Sequence, residues 1–205
     1  MDTTEWDKML TGEYYSTSDP YVTRARKETK LRIAQLQSSG YDEKSQMDAK
    51  RRLLGTAHDD TYIGGNIHFA YGVNIHVGKR FRAGSNLVIL DCARVDIGDN
   101  VICGCAVQIY TTTYPQDPDM RKAGLERARP VKIGNNVWIG AGTVILPGIT
   151  IGNDVVIEPG AVVMEDVSDG SIIGGNPAGS IENVNNILLS VVEGMRRKNQ
   201  GVIQF

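Results

Sequence analysis

Between Ile133 and Ser168 the apolar residues recur every six positions. Ile133, Ile139, Ile145, Ile151, Ile157 and Val163 share one phase, and Val137, Thr143, Ile149, Val155, Ala161 and Val167 fall four residues after each. Glycine follows the first phase at Gly134, Gly140 and Gly152. A strand alternates with period two and a helix with about 3.6, so neither alone yields a strict six. A coil with flat faces does: one bulky aliphatic per face points inward, and the turns need small residues. The period returns upstream at Ile97, Cys103 and Ile109, with Val101 and Val107 four residues after the first two. The pattern predicts an all-β solenoid.

Before about residue 60 the pattern is helical. Thr4 with Asp7 predicts the capped start of a short helix carrying Trp6, Met9 and Leu10 and stopping at Gly12. Asp19-Pro20 starts a second helix, with Pro20 at its first position and a stop at Ser38-Ser39-Gly40. A third is expected from about Asp42 to Leu54, ending at Gly55. The expected organisation is a helical cap over 1–58, coils over 59–182, and an amphipathic tail helix within 183–205. One segment, 110–130, breaks the repeat. It holds Pro115, Pro118, four basic and three acidic residues. A long polar excursion from a rigid solenoid is usually functional, here expected to reach across a neighbouring surface.

The formal net charge is −2, which gives no reason to expect a nucleic-acid or anionic-membrane partner. No apolar stretch has the length of a membrane span, and no N-terminal signal pattern is present. Cys92, Cys103 and Cys105 form an odd set without a disulfide framework, so a cytoplasmic setting is expected. Cys103 falls on the inward phase and no second ligand pair exists, so Cys103-Gly104-Cys105 is not read as a metal site.

Several stretches carry a resemblance. They are Met9-Leu10-Thr11-Gly12-Glu13, Tyr71 to Gly78, Ile89-Leu90-Asp91, Val107 to Thr111, Pro130 to Gly140, and Gly175-Asn176-Pro177-Ala178. With these the chain resembles the maltose and galactoside O-acetyltransferases, a branch of the hexapeptide-repeat acyltransferases, over nearly its whole length. The resemblance implies a left-handed parallel β-helix, an N-terminal helical cap, and a homotrimer with active sites between subunits. It implies acetyl transfer from acetyl-CoA to a sugar hydroxyl, with a loop histidine as general base.

At that loop position the family has Thr-His-Pro, and this chain reads Thr113-Tyr114-Pro115. A phenol with an unperturbed pKa of about 10 is a poor base at neutral pH. By the same alignment a polar acceptor-site residue falls at Ala70, an asparagine at Gly84, and a carboxylate of the galactoside branch at Cys92. The family's Thr-Lys-Asp is Met164-Glu165-Asp166, and its Asn-Pro-Ala-Arg ends in Gly179. The missing cations would face the phosphates of CoA, and Glu158, Asp166 and Asp169 are expected to make that groove acidic.

The remaining candidates for chemistry are His68, Asp91 and Tyr114. Two-residue alternation places His68 on the side of Ala70, and Asp91 follows the aliphatic run Leu87–Leu90. His76 and His58 read as structural and solvated. Tyr71, Tyr110, Tyr114 and Trp138 are expected to line an aromatic pocket for a flatter, less polar ligand than a sugar. The leading expectation is a recruited scaffold that performs CoA-independent acid/base chemistry (isomerisation, cyclisation or elimination) on a non-sugar small molecule between subunits, without a cofactor. Two alternatives stand beside it. One is a divergent acetyl-CoA-dependent O-acetyltransferase, the other a non-catalytic trimer.

Overall fold

A computed structural model describes residues 4–40 and 42–181. The expected tail helix in 183–205 lies outside the described residues.

Two- and three-residue strands stack into three parallel sheets that enclose one core. The first sheet contains Tyr62–Ile63, Arg82–Ala83, Ile102–Cys103, Trp138–Ile139, Val156–Ile157 and Ile172–Gly174. The second contains His68–Phe69, Val88–Leu90, Gln108–Tyr110, Val144–Ile145 and Val162–Val163. The third contains Ile75–Val77, Val95–Ile97, Val131–Ile133 and Thr150–Ile151. The chain visits them in that order, once per coil.

Both apolar phases point inward. Ile133, Ile139, Ile145, Ile151, Ile157 and Val163 are buried, as are Val137, Thr143, Ile149, Val155 and Ala161. Each buried aliphatic contributes roughly 1.5–3 kcal/mol relative to exposure, so the column is the main stabilising element. Where the third sheet turns into the first, asparagine and aspartate link the coils. Asp99 Oδ1 accepts from Lys79 N, Asn135 Oδ1 from Asp99 N, Asn153 Oδ1 from Asn135 N, and Asp169 Oδ1 from Asn153 N, all at 2.7–2.9 Å.

The coils are not of one length. Ile133 pairs with Ile151, eighteen residues on, but Tyr62 pairs with Arg82 and Val88 with Gln108, twenty residues on. The additional residues sit where the second sheet turns into the third, at 70–74 and 90–94. At the same corner of the next coil the chain leaves for 111–130. The excursion is therefore an enlargement of a corner that was already wide.

The cap forms as its signals predict, with one difference. Helix α1 spans Glu5–Thr11 with a Thr4–Asp7 capping box and a left-handed Gly12, and α2 spans Pro20–Ser38 behind Asp19. Helix α3, Glu43–Leu53, ends on an extended Leu54 rather than on a glycine cap. Ile33, Leu36, Ala49, Leu53 and Leu54 join the solenoid core. Helix α1 and the start of α2 instead lie along the wide corner, where Met9, Tyr15, Val22, Tyr71, Cys92, Ala93 and Ala128 form a second cluster.

The base of the excursion is anchored to the cap of its own chain, and its tip is exposed. Thr112–Thr113 and Leu125–Ala128 pair antiparallel, and the latter pairs with Tyr15–Ser16 of the same chain. A short helix α4, Pro118–Lys122, closes the tip. Period-two alternation in Leu125-Glu126-Arg127-Ala128 explains this: Glu126 and Ala128 turn inward together, against the cap.

Candidate active site

At the wide corner the cap, the coil and the excursion bring several polar side chains together. The centre is Glu126, which is nine-tenths buried. Its Oε2 accepts from the Tyr15 hydroxyl at 2.7 Å and from Thr112 Oγ1 at 3.2 Å, and Arg26 Nη2 lies 3.7 Å away. Its other oxygen, Oε1, has no hydrogen-bond partner among the described residues. One oxygen is held and the other is offered. Neither Glu126 nor Arg26 nor Tyr15 was singled out in the sequence.

Arg26 comes from the α2 face that also carries Val22 and Thr29, three to four residues either side, as one helical face requires. Its guanidinium lies over the Tyr71 ring, 5.6 Å from the centroid. Trp6 packs edge-on to the same ring at 5.0 Å, and Thr29 Oγ1 donates to the Tyr71 carbonyl at 2.8 Å. Tyr71 is fully buried, and its hydroxyl has no partner meeting hydrogen-bond geometry among the described residues. Burial pushes that phenol well above its usual range, and the Tyr15 phenol likewise. Burial also pushes the Cys92 thiol up to about 11, so it is not a ready nucleophile.

Tyr114 lies beside Glu126, largely exposed. The Glu126 charge, followed by burial, raises the phenol further above neutrality. As a proton acceptor it is poorer than a free tyrosine.

Asp91 is completely buried, and its carboxylate is committed to the turn. Oδ1 accepts from Tyr71 N at 2.8 Å and Oδ2 from Asn74 N at 3.3 Å. Thr111 does the same work one coil later, accepting from Ala93 N at 2.9 Å. Burial pushes the Asp91 carboxyl up to about 7, outweighing these hydrogen bonds. A folded-state pKa above the unfolded value means the folded protein holds the proton more tightly, so stability falls as pH rises from about 4 to 7. Asp91→Asn should remove this term. The melting temperature of wild type minus that of Asp91→Asn is expected to decline between pH 5 and pH 8, by an amount worth a few kcal/mol.

The other sequence candidates divide between two regions. Ala70 packs into the corner cluster with Tyr71 and Cys92. His68 is exposed on the outer side of the second sheet, and its imidazole makes no hydrogen bond among the described residues. Tyr110 is half-buried, with its hydroxyl on the Gln108 side chain. Trp138 and Gly84 belong to the first sheet and its following corner, away from the others. A Cβ at Gly84 would lie 2.8 Å from Cys105 N and Sγ, so position 84 is a closed corner. Within one chain the four aromatic residues therefore do not form a pocket. A groove of about 920 Å³ between the α2–α3 hairpin and the first coil is lined by none of the corner residues. Its Lys50 is committed to the Thr61 carbonyl at 2.7 Å.

The outer side of the first sheet is an apolar stripe, with Ile102, Trp138 and Ile172 exposed in register along it. Of the acids expected beside it, Asp166 accepts from Thr150 N and Asp169 from Asn153 N, both at 2.7 Å.

Residues 130–164 match the bacterial transferase hexapeptide model of six repeats. Nodulation protein L of Rhizobium meliloti (strain 1021) is 44% identical over 179 residues, 87% of this chain and 98% of that protein. A crystal structure of a maltose O-acetyltransferase from Clostridium difficile 630 superposes with a TM-score of 0.85 at 40% identity, over 87% of this chain and 96% of that one. The chain belongs to the maltose and galactoside O-acetyltransferase family. Its coil is the left-handed parallel β-helix of that family. A galactoside acetyltransferase in complex with coenzyme A matches with a TM-score of 0.78 at 30% identity, covering 91% of this chain and 92% of that one. Among the described residues, no helix is long and apolar enough to cross a membrane.

Proposed function

We infer that the protein is an acetyl-CoA-dependent O-acetyltransferase whose proton acceptor is Glu126. The observation that carries this reading is the divided Glu126 carboxylate. Oε2 is engaged by Tyr15 and Thr112, Oε1 accepts from neither, and the carboxylate stands beside the Tyr114 phenol, at the loop where the family resemblance places the base. A positioned carboxylate within reach of a hydroxyl meets the geometric requirement of general base catalysis. Kinship with acetyltransferases over most of the chain supports the same reaction class.

The step balances. Glu126 Oε1 takes the acceptor's hydroxyl proton while the acceptor oxygen bonds to the acetyl carbon. The carbon–sulfur bond then breaks, and the leaving thiolate takes that proton from Glu126, giving free CoA and an acetate ester and restoring the carboxylate. Tyr114, protonated, donates a hydrogen bond at the mouth of the site. Acetyl-CoA fits the exposed stripe of Ile102, Trp138 and Ile172, which offers an apolar track for the pantetheine arm. In a homotrimer the stripe of one subunit would face the Glu126 corner of the next, joining the two regions that one chain keeps apart.

The acceptor-independent part of this proposal is tested by thiol release. Full-length protein with acetyl-CoA and a panel of small hydroxyl compounds should liberate free thiol and yield a product heavier by one acetyl group. The second reading, CoA-independent acid/base chemistry, is favoured by Glu165 and Gly179 at positions suited to phosphate contacts. It predicts no thiol release with any acceptor.

A further inference from the structure

The strand Leu125–Ala128 carries Glu126 to the side of the cap, where Tyr15 stands directly opposite it in the antiparallel register. Opposed residues of such a pair are the ones whose side chains meet. Bonds on both sides of Tyr15 pin that register. Thr17 N donates to Gly124 O at 3.1 Å, and Arg127 Nε donates to Gly12 O at 2.7 Å. The Tyr15 ring is completely buried in the cluster of Met9, Val22 and Ala128, so its hydroxyl has one fixed approach to the carboxylate. Its bond to Glu126 Oε2, at 2.7 Å, is shorter than the 3.2 Å bond from Thr112 to the same oxygen. Burial holds the phenol well above its usual range, so it remains a donor at neutral pH.

A carboxylate that serves as a base needs one oxygen aimed at the acceptor hydroxyl. The terminal torsion of a glutamate is broad and roughly two-fold when nothing holds it. A short hydrogen bond to one oxygen removes that freedom and sets the direction of the other. We propose that Tyr15 is a positioning residue for acetyl transfer: its hydroxyl holds Glu126 Oε2 so that Oε1 points at the acceptor hydroxyl. Tyr15 touches no reacting atom and acts only through Glu126. The cap thereby takes a part in the chemistry, because the strand Tyr15–Ser16 lies between α1 and α2 and not in the coil. This role rests on the reading of Glu126 as the proton acceptor.

A double-mutant cycle on the full-length protein tests it, with thiol release from acetyl-CoA as the rate and the melting temperature as the record of stability. Tyr15→Phe keeps the buried ring and removes only the hydroxyl. It is expected to lower kcat roughly ten- to hundredfold, the worth of one hydrogen bond to a charged group, with KM for acetyl-CoA unchanged. In a Glu126→Gln background the same substitution should change kcat less than about twofold, because no proton acceptor remains to be aimed. Thr112→Val, which removes the longer bond, should cost less than Tyr15→Phe. Arg127→Gln loosens the Tyr15 segment from outside the core, and it too should lower kcat in the wild-type background and not beside Glu126→Gln. A merely structural Tyr15 would lower rate and melting temperature alike in both backgrounds, and that result overturns the inference. So does a Tyr15→Phe enzyme with unchanged kcat, or a Thr112→Val enzyme that loses more. If Glu126→Gln itself keeps the wild-type rate, the base reading falls and the positioning role falls with it. If Glu126→Gln is impaired and Tyr15→Phe is not, only the positioning role falls.

Discussion

Glu126→Gln is expected to lower kcat for acetyl transfer by about 10²–10⁴, the range lost with a general base. The amide has the shape of the carboxylate, and its oxygen still accepts from Tyr15 and Thr112, so the corner should fold as before. What disappears is the proton acceptor at Oε1. Tyr114→Phe is the companion variant. It removes one donated hydrogen bond, worth about 0.5–1.5 kcal/mol, and should cost about tenfold or less. The reverse ranking, with Tyr114→Phe inactive and Glu126→Gln active, would move the proton through the phenol. Steady-state rates of thiol release for the two variants decide it.

Gly134→Ala is expected to destabilise the coil strongly. A Cβ there would lie 2.6 Å from Gly152 O and 2.7 Å from its carbonyl carbon, distances that real Cβ atoms essentially never show. Both obstacles are backbone of the next coil, so no side chain can rotate away. Overpacking of this kind costs about 3 kcal/mol, or a melting temperature lower by about 6–12 °C in a chain of this size. Gly142 is the control. It has a positive φ of 71° but nothing within 4 Å of an added Cβ, so Gly142→Ala carries only left-handed strain, about 1–2 kcal/mol. If Gly142→Ala proves the worse of the two, the tight stacking of glycine corners is not what holds the coil.

The contrast between these two sites follows what the sequence made visible. The coil was legible because its core obeys one local rule: an aliphatic every six residues, with a glycine where the next coil's backbone passes. Upstream the rule blurs. The wide corners at 70–74 and 90–94 lengthen each coil to twenty residues, so the apolar phases slip relative to one another. The helix caps were legible for a similar reason, because Thr4, Asp7, Asp19 and Pro20 act within a few residues of one another.

The site was legible only in part. The corner and its loop were marked by Tyr71, Cys92 and Tyr114, but the group offered for chemistry was not. Glu126 reads in sequence as one more charge in a polar loop. Only its alternation with Ala128, and the pairing of Leu125–Ala128 with Tyr15–Ser16, turn it inward. Arg26 and Tyr15 lie about a hundred residues from it in sequence, within a segment whose evident purpose is to cap. Asp91 shows the opposite case. An acid after an aliphatic run signals burial correctly, yet its oxygens are taken by Tyr71 N and Asn74 N, which no spacing in the sequence reveals.

The central claim is that the protein uses acetyl-CoA, despite the Glu165 and Gly179 that the family resemblance sets at positions expected to be cationic. Calorimetric titration of the purified full-length protein with acetyl-CoA and with CoA tests it most directly. The account predicts micromolar binding of both, weakened in Trp138→Ala, because the apolar stripe supplies contacts that the missing cations do not. No detectable binding of either would contradict the account and leave CoA-independent chemistry at the Glu126 corner as the reading to pursue.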